Sequence, residues 1–146
     1  MASRQSALRR ESFGFLLAKA MQRWNGELEA SFAAAGFGQV RASFGSVLVP
    51  LYEEDGLRMG DLAERSRLSK QTMTTMVRLV EEAGLVERRA DPEDGRATRV
   101  WLTRTAERFR SVAEVSLREV ERSFLECGSE TEARVMRRWL RQYAEI

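Results

Sequence analysis

Apolar residues along the chain recur every three to four positions over long stretches and alternate with polar ones over two short stretches. From Ser12 to about Ala35, Phe13, Leu16, Leu17, Ala20, Met21, Trp24 and Leu28 fall at helical steps and predict one long amphipathic helix. Gly36 and Gly38 end it, because glycine accepts the left-handed backbone of a helix terminus. A second helix is expected over Val40 to Glu54 with Phe44, Val47, Leu48 and Leu51 inward, kinked where Pro50 removes a backbone donor. Arg58 to Arg67 reads as a short third helix with Leu62 and Ala63 inward. Ser69 is a natural N-cap for a fourth helix that runs to Ala83 and stops at Gly84.

Two β-prone runs follow, Leu85 to Arg89 and Thr98 to Leu102, and the turn formers of ADPEDGRA between them predict a hairpin. Period-two alternation puts Arg99 and Trp101 on one face and Val100 and Leu102 on the other. Thr103 caps a long fifth helix to about Glu126, striped by Phe109, Ala113, Leu117, Val120 and Phe124. A Ser-x-x-Glu capping box at Ser129 to Glu132 opens a last helix expected to bury Val135, Met136, Trp139, Leu140 and Tyr143. The fold class is therefore mainly α with a small β-hairpin. Two short helices joined tightly and followed by a hairpin resemble a winged helix-turn-helix, whose second helix enters a DNA major groove.

The fourth helix carries an unusual outer face. Met73, Met76, Val77 and Val80 form one stripe at helical spacing and read as core, while Gln71, Thr74, Thr75 and Arg78 form a second stripe on the opposite side. Solvent faces ordinarily carry Glu, Lys and Arg, and threonine weakens a helix through lost rotamer freedom. Base reading explains the choice better than stability does. Gln pairs with an adenine edge, Arg with guanine, and threonine offers a hydroxyl and a methyl suited to the thymine methyl. At the helix start, Lys70 beside Ser69 and Thr72 joins a cation to free backbone N–H groups, an arrangement that favours a phosphate oxygen. The plain alternative is a solvated polar face.

Composition narrows the classes. The 146 residues include one cysteine, Cys127, and no histidine, which excludes an internal disulfide, a His or Cys metal site and imidazole acid-base chemistry. The carboxylates are spread along helical faces without an isolated pair among apolar neighbours, so an enzyme is the weakest class and neither a cofactor nor a metal is expected. Net charge is only +2, and the excess lies between Leu57 and Arg104, where ten basic residues face eight acidic ones. No run is long enough to span a membrane, and MASRQSALRRES lacks the apolar core of a secretory signal, so the cytoplasm is the expected compartment.

The stretch LSKQTMTTMVRLVEEAGLVERRADPEDGRATRVWLT, Leu68 to Thr103, resembles the MarR family of bacterial transcriptional regulators through GLVER at 84–88, DPEDGR at 91–96 and VWLT at 100–103. The resemblance implies that Arg96 is the wing arginine that reaches into a minor groove, with Asp94 orienting it. A narrow minor groove attracts a guanidinium, and a neighbouring carboxylate can fix its direction. Arg88 matches the arginine of the family's GLVxR and braces the wing or touches a phosphate. Arg58 stands where the family usually has a capping Ser or Thr, Arg67 where the turn usually has glycine, and Ala106 where a glycine often follows LT.

The resemblance further implies a single domain over 1–146, with residues 11–39 and 104–146 as dimerisation helices and 40–103 as the DNA-binding lobe. Apolar residues such as Phe13, Leu16, Leu17, Leu140 and Tyr143 exceed what one lobe can cover, which calls for a partner, most simply a second copy. The expected function is a homodimeric repressor on a palindromic operator in double-stranded DNA, relieved by a small aromatic or anionic effector. Trp24, Tyr52 and Arg41 are given no site, and Cys127 reads as a small buried hydrophobe. From another class, the alternative is a winged-helix docking or dimerisation module without DNA binding.

Overall fold

A computed structural model describes residues 9–146, so the reading of the N-terminus as lacking a signal core falls mostly outside the described residues. The elements are α1 (Phe13–Ala34), α2 (Gly45–Glu53), β1 (Leu57–Arg58), α3 (Met59–Arg65), α4 (Lys70–Glu82), β2 (Val86–Ala90), β3 (Thr98–Leu102), α5 (Arg104–Leu125) and α6 (Glu130–Ala144). The strands form one antiparallel sheet in the order β1-β3-β2. The fold is mainly helical with a small sheet, as the pattern predicts. The hairpin gains a strand that the sequence hides, because Leu57 and Arg58, opposite Val100 and Arg99, are too short a run to alternate.

The core lies where α2, α3 and α4 meet the sheet. Val47, Leu51, Leu62, Met73, Val77, Val80, Leu85 and Val100 are fully buried there. Removing a side chain of that size from water contributes about 1.5–3 kcal/mol. The core continues between α1 and α5, where Phe32 meets Phe109 edge to face at 4.9 Å and the hydroxyls of Ser31 and Ser116 share a 2.7 Å hydrogen bond. The caps at Ser69, Thr103 and Ser129 form as expected, Ser129 with its reciprocal Glu132 bond. No helix among the described residues is long and apolar enough to cross a membrane.

Several expectations are corrected. The second helix starts at Gly45 rather than Val40, after a 3-10 turn at Ala42–Phe44. It continues through Pro50 to Glu53. Proline leaves the Ser46 carbonyl without its helical donor, and the Ser66 hydroxyl from the α3–α4 turn donates to it instead. The third helix is shorter than expected, Met59 to Arg65, because Arg58 belongs to β1 and caps the helix without a side-chain bond. Along α5 the buried stripe runs through Ala106, Phe109, Ser116 and Val120, while Leu117 and Phe124 are exposed.

The largest departure is α6, which buries none of its residues within the protomer: Trp139 is 58% exposed and Tyr143 88%. Phe13, Leu16, Leu17 and Met21 of α1 are exposed as well. The amphipathic pattern of α6 is real, but among the described residues its own chain leaves Met136, Trp139, Leu140 and Tyr143 exposed and only half-buries Val135. Cys127 is exposed, not buried, since it sits in the α5–α6 joint beyond the packed helices.

Candidate nucleic-acid interface

Helix α4 presents two faces of opposite character. Met73, Val77 and Val80 are buried and Met76 half-buried, whereas Lys70, Gln71, Thr72, Thr74, Thr75 and Arg78 are exposed. At its start the Ser69 Oγ accepts from the Thr72 N–H at 3.1 Å and donates to Thr72 Oγ1 at 2.8 Å. The threonines then bond back along the helix, Thr74 Oγ1 donating to the Lys70 carbonyl at 2.8 Å and Thr75 Oγ1 to that of Gln71 at 3.2 Å. Arg78 has only a loose partner one turn on, Glu82 at 4.0 Å. A face of short, self-satisfied threonines, flanked by the exposed Gln71 amide, which has no side-chain partner among the described residues, and by the loosely paired Arg78 guanidinium, is open to another molecule's hydrogen-bonding edge.

The wing is the β2–β3 hairpin, and Arg96 is exposed near its tip. Asp94 acts differently from expectation. Its Oδ1 accepts the Arg96 backbone N–H at 3.0 Å, and among the described residues no ion pair joins the two side chains. Asp94 therefore shapes the turn and leaves the guanidinium free. Arg88 is engaged inside the molecule: its Nε and Nη2 each lie 2.9 Å from Glu81 Oε2, and its N–H donates to Glu81 Oε1 at 3.0 Å. Of the two roles left open for it, bracing the wing on α4 is the one the geometry supports. The Arg88 side-chain bond, against a smaller burial effect, holds the Glu81 carboxyl below its usual value.

Beneath the wing lies a group that sequence reasoning missed. Asp91 is buried, with Oδ2 at 2.7 Å from Arg58 Nε and 3.2 Å from Arg99 Nε, while Oδ1 accepts the Glu93 N–H at 3.0 Å. The Glu93 N–H foremost, helped by Arg99 and Arg58 and opposed by burial, lowers its pKa from the ordinary 3.8. Arg99 also donates to the Gly56 carbonyl at 2.8 Å. Trp101 covers Gly56, which has φ +70° and where a Cβ would come within 2.5 Å of the indole ring. Asp91 was legible as a turn former; its two arginine partners were not, because nothing local links Arg58 to a residue 33 positions on.

The residues given no site have partners of their own. Tyr52 Oη donates to the Ala106 carbonyl at 2.7 Å, and burial pushes its pKa up to about 12. Trp24 meets Phe124 edge-on at 5.9 Å, and Arg41 lies 3.5 Å from Glu29. Among the described residues, no three acidic or cysteine side chains are grouped so as to hold a metal ion.

Residues 44–98 match the model of the MarR family. No curated protein sequence matches the chain. A probable transcriptional regulator from Pseudomonas aeruginosa is 26% identical in its crystal structure, over 91% of this chain and 97% of that one, with a TM-score of 0.75. The PcaV transcriptional regulator from Streptomyces coelicolor, solved in complex with its natural ligand, is 22% identical over 97% and 98%, with a TM-score of 0.76. Reduced AbfR bound to DNA is 20% identical over 90% and 88%, with a TM-score of 0.66. The family is one of transcriptional regulators and not of enzymes. Residues 44–98 thus match the MarR-family model, and the chain shares the winged helix-turn-helix fold of those regulators over 91–97% of its length.

Proposed function

We propose that the protein is a homodimeric, sequence-specific repressor that binds a palindromic operator and is released by a small effector. The observation that carries the reading is the open face of α4, Gln71, Thr74, Thr75 and Arg78, opposite a face that is buried. In this reading those four residues meet base edges in the major groove, and Ser69, Lys70 and Thr72 meet the phosphate at the helix start. Arg96 enters the adjacent minor groove from a turn that Asp94 shapes, and Arg88 holds the wing to α4. Residues 40–103 form the DNA-binding lobe.

Residues 11–39 and 104–146 are the dimerisation helices, supported by the uncovered apolar residues of α1 and α6. A twofold dimer matches half-sites about one helical turn apart. The complex of PcaV with its natural ligand supports an effector, which this reading takes to be small and aromatic or anionic, and AbfR bound to DNA supports the nucleic-acid partner.

The test is the affinity for a duplex selected in vitro, measured against salt. A steep linear fall of log affinity with log salt is expected, because each phosphate contact releases counterions. A protein that enriches no duplex and shows no salt dependence would instead be a docking module.

A further inference from the structure

Arg67 takes a left-handed backbone, φ 52°, in the turn between α3 and α4, a conformation that glycine adopts freely and a residue with a Cβ does not. Its side chain explains why an arginine is kept there. Nη1 donates to the Ala144 carbonyl at 2.9 Å and Nη2 to the Glu145 carbonyl at 2.8 Å. These carbonyls are those of the last residue of α6 and of the left-handed cap that follows it, at the end where the helix runs out of donors and its dipole is negative. A guanidinium fork meets both requirements at once.

The location gives the contact its meaning. Arg67 precedes by two residues the Ser69 cap from which α4 starts. Helix α6 buries no residue, and its other side-chain tether among the described residues is Arg137 to Glu121 at 2.8 Å. One side chain thus spans 77 and 78 positions to join the end of α6 to the start of α4.

We propose that Arg67 is a positioning residue that couples α6 to α4, so that a displacement of α6 moves the start of the DNA-contacting helix. The proposal rests on the reading of α4 as that helix. It extends that reading by naming the connection through which the apolar helices act on it.

The experiment uses the full chain and the variants Arg67→Gly and Arg67→Lys. Glycine removes the guanidinium and suits the backbone, so that variant folds, with an unchanged circular dichroism spectrum as the check. In the free protein, amide hydrogen exchange over residues 141–146 is expected to be about tenfold faster in Arg67→Gly than in the wild type. Equal exchange would overturn the tether.

With a duplex selected on the wild type, DNA binding is expected to slow exchange over 141–146 in the wild type and not in Arg67→Gly. Lysine, which keeps the charge without the fork, recovers part of the slowing. Slowing that is the same in all three proteins would overturn the coupling. A wild type that binds no selected duplex would refute the proposed function, and the free-protein exchange would then decide the tether alone.

Discussion

Thr74 and Thr75 each commit their hydroxyl proton to a carbonyl of their own helix, which leaves a methyl group and oxygen lone pairs facing outward. In the proposed complex such a surface would accept from adenine or cytosine amino groups and meet a thymine methyl, with no proton to offer guanine; the donors on that face are Gln71 and Arg78. Arg78→Ala is expected to cost about 1–3 kcal/mol of binding at one base position, read as relaxed specificity there in competition with single-base operator variants. Arg96→Ala should weaken binding chiefly when the flanking minor groove is narrow, which A-tract and mixed flanks would distinguish in the same assay. Asp91 makes a separate prediction. Its folded pKa lies below the ordinary 3.8, so its stabilising effect is complete above that value and is lost as pH falls through it toward the lower folded value. Urea midpoints followed with pH should drop below about pH 3.8 in the wild type, whereas Asp91→Asn should be destabilised already at neutral pH and show a smaller acid dependence, keeping the part that other carboxylates such as Glu81 supply.

At the scale of elements, the wing is held from both sides, by Arg88 on Glu81 of α4 and by Asp91 between Arg58 and Arg99. The β1 end depends on Gly56, whose positive φ and contact with Trp101 admit no side chain. Gly56→Ala is expected to destabilise the protein by roughly 2–3 kcal/mol in chemical denaturation, since backbone strain and steric clash add. These attachments also mark where the sequence stops being legible. Helices with strong periodicity and a Ser or Thr cap are found within a residue or two, as α4 and α5 show, because every signal they need is local. The open face of α4 follows from the same periodicity. Strand β1, the Asp91 group and the Arg67 bonds to the end of α6 depend on residues far apart in the chain, and no local pattern encodes such pairings; the Glu81 brace spans only seven positions but joins a helix to a strand across a turn. The stripe on α6 was visible, yet a stripe says only that a face is apolar and not which chain covers it.

For the whole molecule, the exposed apolar residues of α1 and α6 are the surface that the proposed dimer would bury. Trp139→Asp is expected to shift sedimentation from dimer to monomer and, with twofold contacts gone, to weaken operator binding, while the winged-helix lobe keeps its fold. An unchanged dimer in that variant would place the interface elsewhere. Helix α6 has 15 residues and none of them buried, and helices of about 12–15 residues are marginal in water on their own. Dilution alone should therefore unwind α6 and reduce far-ultraviolet ellipticity at concentrations where the rest of the chain is intact. The amount of protein in a cell would then decide how much of it is folded as well as how much DNA it occupies.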